Sequence, residues 1–221
     1  LRLTGEAMVR VTFTLAGPVA GGPARVTRVL THPHAHSQCQ EWLAAHLPHA
    51  EFVPASSTSE AAAAVAATGD PATAAIVAPA AVERYGLTPL AQDIGDRKDA
   101  VTRFVRVAGR SAELPSPTGY DRTSLVLPLH DRVGALHQAL GAFTDNGASL
   151  TAINSRPTGD ALGRYCFFLE CAGHIVQPAV RSALDTLRAQ VPETVVLGSY
   201  PRARPPAPYE MDEAELAGSP A

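Results

Sequence analysis

The spacing of apolar residues shifts along the chain between the strand period of two and the helical period of 3.6. Residues 9–15, rich in β-branched and apolar side chains and closed by Gly17-Pro18, predict a strand, and residues 26–30 a second. Residues 34–47 predict a helix with Ala35, Cys39, Trp42, Leu43 and His46 on one side. Residues 51–55 read as extended. In Ser57-Thr58-Ser59-Glu60 a capping Ser is followed three positions later by Glu, which predicts the opening of the Ala-rich helix 61–67. A buried strand at 74–78, a short helix at 80–85 and an extended stretch at 90–94 follow. Strand and helix in alternation define an α/β layer fold.

The proline-rich stretch Leu114-Pro115-Ser116-Pro117-Thr118-Gly119 divides the chain and reads as a linker. Beyond it the pattern is shorter and more regular. Residues 123–128 predict a strand. Residues 134–143 predict a helix with Ala135, Leu136, Ala139, Leu140 and Phe143 on one face, stopped by Asn146-Gly147. Strands at 150–154 and 165–171 precede a helix at 178–190, which carries Ala179, Val180, Ala183, Leu184 and Leu187 on one face, and a last strand at 195–200. The order βαββαβ is the ferredoxin-like arrangement. The expected organisation is a domain at 1–113, a linker at 114–120, a second domain at 121–201, and a disordered tail at 202–221.

Composition narrows the function. Apolar residues make up 46% and charged residues 18% of the 221, which suits a globular protein that buries a core. A net charge of -3 argues against an electrostatic nucleic-acid binder, and no apolar run reaches the ~20 residues of a membrane span. Cys39, Cys166 and Cys171 are too few, and odd in number, for a disulfide scaffold, so a cytoplasmic setting is expected. The start carries no signal-peptide pattern, and the first methionine is Met8, so the chain is expected to begin inside a longer protein.

Neither a phosphate-binding glycine loop nor a GxSxG nucleophile motif is present. His32, His34 and His36 would share one side of a strand and could then bind a metal. Pro33 instead reads as a helix start, helical spacing turns His34 away, and no metal is expected. Helix openings at 31–35 and 57–60 offer free N–H groups that suit carboxylates. Thr102-Arg103-Phe104 sets a hydroxyl beside a fixed cation, and two helix ends with one guanidinium suit a small dianion. The alternative stays open that Ser57 only caps and that Arg103 only pairs with an acid such as Asp96 or Asp99.

Several segments recur in a known order: Thr31-His32-Pro33-His34-Ala35 with Gln38-Cys39, Ser57-Thr58 with Glu60-Ala61-Ala62, Ala74-Ala75-Ile76, and Asp96 ahead of Thr102-Arg103-Phe104. In this order the first half resembles bacterial prephenate dehydratase. The second half resembles that family's ACT regulatory domain, with Gly134-Ala135-Leu136 opening the first helix and Ser155-Arg156-Pro157 after the second strand. Gly163, Tyr165, Phe167, Phe168, Gly173 and His174 continue the match.

The resemblance implies part of a two-lobed catalytic domain like that of periplasmic binding proteins, followed by a ferredoxin-like ACT domain. It implies conversion of prephenate to phenylpyruvate with loss of carbon dioxide and the ring hydroxyl, no cofactor, and feedback regulation by L-phenylalanine. Thr102 would donate to the leaving oxygen and Arg103 would hold a carboxylate. His32, Ser57 and Thr58 would add anion contacts, and Phe104 joins this substrate set with its ring read as packing more than contact. Phenylalanine would meet Gly134, Ala135, Leu136, Ser149, Leu150, Asn154, Ser155, Arg156 and Pro157. A homodimer or homotetramer through side-by-side ACT domains is implied.

Four departures qualify the likeness. The family's Gly-Pro-x-Gly-Thr-Phe and Glu-Asn-Ser motifs are absent, so most of a first lobe is expected to be missing. Residues 101–107 should then have an unpaired edge, and the chain alone should be inactive. Ala100 stands where Asn is common and His34 where Gln is usual. Ser149 replaces Asn and Asn154 replaces Glu, which should weaken or redirect effector binding. The alternative function is a non-catalytic aromatic amino-acid-binding module. A periplasmic solute receptor is a weaker reading, opposed by the βαββαβ unit.

Overall fold

The computed structural model describes residues 1–19, 22–130, 132–158 and 164–204. Its chain forms two compact units, Arg10–Thr102 and a second made of Leu1–Val9 with the residues from Arg103 onward. Strands β1 (Arg2–Arg10) and β7 (Val101–Ala108) pair as a two-stranded ribbon, and the division between the units falls within both.

The unit Arg10–Thr102 is built on a five-stranded sheet in the order β4-β3-β5-β2-β6. Its strands are β2 (Thr14–Gly17), β3 (Arg28–Thr31), β4 (Glu51–Pro54), β5 (Thr73–Val77) and β6 (Thr88–Ala91). β3 runs parallel to β4 and β5, while β2 is antiparallel to β5 and β6. Side chains that alternate along the strands feed two separate cores. Leu15, Val29, Ala74 and Ile76 pack with Ala35, Cys39 and Leu43 on one face. Ala16, Ala75 and Val77 pack with Ala61, Ala62 and Val65 on the other.

Four helices cover these faces: α1 (Pro33–Ser37), α2 (Gln40–His46), α3 (Thr58–Thr68) and α4 (Pro79–Arg84). The single helix expected at 34–47 is therefore two. The break follows from Asp96, whose carboxylate accepts the Glu41 and Trp42 N–H groups at 3.1 Å each and so starts α2 anew. The strand expected at 9–15 is also divided, ending as β1 at Arg10 and resuming as β2 at Thr14.

In the second unit β8 (Asp121–His130), α5 (Ala135–Thr144), β9 (Leu150–Pro157), β10 (Arg164–Ala172), α6 (Pro178–Gln190) and β11 (Val195–Pro201) follow in the expected order. The antiparallel sheet runs β11-β8-β10-β9, and Leu125, Leu127, Leu169, Phe143, Leu184 and Leu187 form its core under the two helices. Gly134 precedes α5 with φ of 78°, a conformation that favours glycine. Gly163 and the tail from 205 lie outside the described residues.

The ribbon residues of this unit lie against the sheet. A Cβ at Gly198 would overlap the Leu3 carbonyl oxygen, so only glycine admits β1 at that point. Gly198→Ala is expected to displace β1 and lower the thermal midpoint by several degrees, read by calorimetry. At the start of α3, Ser57 Oγ accepts the Glu60 N–H at 3.0 Å, and Glu60 reaches back to the Ser56 N–H at 2.7 Å. Ser57→Ala should cost about 1 kcal/mol in denaturant unfolding. The hydrogen bonds from Ser56 hold the Glu60 carboxyl below its ordinary value. Its contribution is thus present above the usual carboxylate range and lost as pH falls through the lowered value. Glu60→Gln should remove that part of the acid dependence.

Candidate active site

Because β3, β4 and β5 are parallel, their carboxyl ends and the starts of α1, α3 and α4 lie along one edge of the sheet. The helices leave this edge toward opposite faces, α1 and α2 to one and α3 to the other. Open α/β sheets leave a binding crevice at such an edge. Thr31 at the end of β3 stands in register with Pro54 at the end of β4, which brings the helix starts beyond them side by side.

His32 and Ser57, both expected at the site, flank this edge. His32 caps α1, its Nδ1 accepting the His34 N–H at 3.1 Å, and Ser57 caps α3. Pro33 is the first residue of α1, as its sequence position implies. Thr58 begins α3 and is half-buried, while His32 and Ser57 are exposed. The remaining histidine of interest, His36, stacks on Phe52 with ring centroids 4.0 Å apart. Both caps serve a structural role: at α1 Pro33 has no N–H, His34 donates to His32 Nδ1, and Ala35 and His36 donate to the His32 carbonyl, whereas the first turn of α3 keeps the Thr58 and Ser59 N–H groups beyond the Ser57 cap.

Thr102, Arg103 and Phe104 lie inside β7, which pairs with β1. Successive residues of a strand point to opposite sides, so Thr102 and Phe104 share one side and Arg103 faces the other. The expected side-by-side hydroxyl and guanidinium are thereby separated. Phe104 is exposed and borders a groove with Thr4, Glu6, Arg106 and Pro115.

The Arg103 guanidinium is already occupied. Its Nη1 donates to Glu170 Oε2 at 2.7 Å, and its Nη2 donates to the other oxygen of the same carboxylate. Arg122 Nη1 also donates to Glu170 Oε2, at 2.9 Å. Glu6 Oε2 lies 3.5 Å from both arginines and has a fully buried side chain. Burial pushes the Glu6 carboxyl above its ordinary value, against the pull of the Ala203 N–H and of Arg103. The two acids proposed as alternative partners of Arg103 do other work, Asp96 capping α2 and Asp99 pairing with Arg97 at 3.0 Å.

The expected effector residues fall at two ends of the antiparallel unit. Gly134, Ala135 and Leu136 share an end with Asn154, Ser155, Arg156 and Pro157, since His130 pairs with Arg164 and Pro157 with Tyr165. Ser149 and Leu150 sit at the other end, where the Ser149 carbonyl accepts the Ala172 N–H at 2.8 Å. The ten-residue helix α5 separates the two groups by about 15 Å. Glu6, Arg122 and Glu170 carried no motif in the sequence; their mutual opposite charges on strands were the available signal.

An α/β unit whose parallel strands end on one edge, followed by a ferredoxin-like unit, is the architecture of a small-molecule-binding domain joined to a second, regulatory type of domain. The family model described as "Prephenate dehydratase" matches residues 1–112, and that described as "ACT domain" matches 123–189. The chain is 43% identical over 216 residues to prephenate dehydratase of Mycolicibacterium vanbaalenii, covering 97% of this chain and 68% of that protein. A structure of prephenate dehydratase from Arthrobacter aurescens in complex with L-Phe is 41% identical, with a TM-score of 0.84 over 98% of this chain and 72% of that one. A protein described as GqqA, a novel type of quorum quenching acylase, is 28% identical with a TM-score of 0.83, over 91% and 72% respectively. This chain belongs to the prephenate dehydratase family and carries an ACT domain. It spans about two thirds of the length of the curated relatives it matches.

Removing one member of a partly buried ion cluster strands the others. Arg122→Ala should destabilise the antiparallel unit by about 2 kcal/mol, measured by denaturant unfolding, because the buried Glu6 side chain and the half-buried Glu170 are left with the more exposed Arg103 alone.

Proposed function

We propose that the full-length protein converts prephenate to phenylpyruvate and is regulated by L-phenylalanine through its ACT domain. The observation that carries the reading is the family match, which covers residues 1–112 and so the sheet edge with His32, Ser57 and Thr58 as well as Thr102 in β7. The likeness to an acylase leaves the fold compatible with another chemistry, so the substrate is inferred from the sequence match and the edge residues.

Prephenate carries two carboxylates and a ring hydroxyl. One carboxylate leaves as carbon dioxide, its electron pair enters the ring, and the hydroxyl departs from the opposite carbon with a proton as water. Aromatisation drives the step, so no electron-sink cofactor is required. The protein's part is to hold the dianion and to supply a proton or hydrogen bond to the departing oxygen. N–H groups at the start of α3, with the side chains of His32, Ser57 and Thr58 beside them, suit the carboxylates. Thr102 is assigned as the donor to the leaving oxygen, with Phe104 on the same side of β7.

The split of the effector residues supports a homodimer. β9 is an edge strand with an exposed outer row, and Ile153 on it is 48% exposed. Antiparallel pairing of β9 with the same strand of a second copy sets Asn154 to Pro157 of one beside Ser149 and Leu150 of the other. Phenylalanine would bind where those groups meet. A cytoplasmic setting agrees with three unpaired thiols, of which burial pushes Cys39 and Cys171 up to about 12. Among the described residues no helix is long and apolar enough to cross a membrane.

Thr102→Ala in the full-length protein should lower phenylpyruvate formation by about 10²- to 10⁴-fold, followed by its ultraviolet absorbance. Turnover equal to the parent's would remove Thr102 from this role. Ile153→Arg should shift the protein toward monomer in analytical ultracentrifugation and abolish calorimetric heat with phenylalanine. A variant that stays dimeric and keeps that heat would refute pairing through β9.

A further inference from the structure

We propose that Glu170 is a positioning residue for this reaction, and that phenylalanine acts on turnover through the ion pair of Glu170 with Arg103. The inference rests on the reading of the protein as a regulated prephenate dehydratase and adds the route of regulation.

Arg103 precedes no loop that could swing it; it sits within β7, next to Thr102 and on the opposite side. Both of its terminal nitrogens meet the Glu170 carboxylate, a two-point contact that fixes direction as well as distance. Glu170 is held from its other side by Arg122, and Ser124 Oγ stands 3.4 Å away, itself 2.8 Å from the Tyr200 hydroxyl. β7 is thus held at Arg103, the residue next to Thr102, from the antiparallel sheet.

Glu170 also lies at the one irregularity in the pairing of β10 with β9. Ala152 stands opposite Glu170, but Leu150 stands opposite Cys171, so the register slips at this point. Thr151 in the slip donates from its hydroxyl to the Glu170 carbonyl at 3.3 Å. The extra residue is Thr151 on β9, so the ladder facing Glu170 is locally interrupted and Thr151 meets the Glu170 backbone through its hydroxyl instead. Ser149 and Leu150, assigned above to the effector, border the bulge. A ligand pressing on them would reach the Glu170 backbone through Thr151, and through its carboxylate Arg103 on β7. On this basis Arg103 is a link to the regulatory sheet and not a clamp on a substrate carboxylate.

The test compares the full-length parent with Glu170→Gln, Arg103→Lys and the double variant, measuring kcat, KM for prephenate and inhibition by phenylalanine. Both single variants should lower kcat about tenfold, leave KM within about twofold, and raise the half-inhibitory phenylalanine concentration about tenfold. The double variant should be no worse than either single one, as for two halves of one contact. Arg103→Lys raising KM about tenfold while Glu170→Gln keeps the parent's kinetics and inhibition would make Arg103 a substrate clamp and overturn the inference. Additive losses would overturn it too. Should Glu170→Gln fail to fold, Arg103→Lys decides alone, by whether kcat and inhibition or KM changes. A parent that makes no phenylpyruvate refutes the functional reading itself, whereas an active parent with unlinked variants refutes only the coupling.

Discussion

One carboxylate, that of Glu170, carries two arginines, and the arrangement of the ribbon on the antiparallel sheet depends on it. Charges removed from water are costly unless each finds partners of good geometry. Here Arg103, Arg122, Glu170 and Glu6 form a set with two positive and two negative members, so its net charge is zero. The set is directional as well as neutral. A hydrophobic patch would hold β1 and β7 against the sheet in several sliding positions, whereas a forked guanidinium on a carboxylate admits one. Gly198 completes the fit by leaving room for the Leu3 carbonyl.

The parallel-sheet unit solves a different problem with neutral groups. Its two cores use many alanines, Ala61, Ala62, Ala74 and Ala75 among them, which let helices lie close to the strands. Three parallel strands then end together, and of the helix starts that follow α3 keeps N–H groups at the common edge, while those of α1 are taken up by His32. A dianion can be held there without an arginine, through amide hydrogens and aligned peptide dipoles. On the proposed reading the two units divide the labour, with amides for substrate binding and guanidinium groups for joining ribbon to antiparallel sheet.

Local pattern made much of this legible in the sequence. Helices α5 and α6 showed their buried faces as apolar residues at helical spacing, and the capping box marked the start of α3 within the chain's own local geometry. The βαββαβ order gave the antiparallel topology, and from it follows the separation of Ser149 from Gly134. What escaped notice was non-local. The break between α1 and α2 comes from Asp96, 54 residues from the N–H of Trp42 that it caps. The partner of Arg103 lies 67 residues away in β10. The opposite facing of Thr102 and Arg103 was available from the alternation of Val101, Arg103, Val105 and Val107, once the segment is taken as a strand.

Binding at the sheet edge with Arg103 held elsewhere is open to direct observation. A crystal structure of the full-length protein with an unreactive dicarboxylate analogue of prephenate would show it. The analogue's carboxylates should meet the start of α3 and the side chains of His32, Ser57 and Thr58, with the Arg103 fork still closed on Glu170. An Arg103 turned away from Glu170 and bonded to the ligand would contradict the division between binding edge and regulatory link.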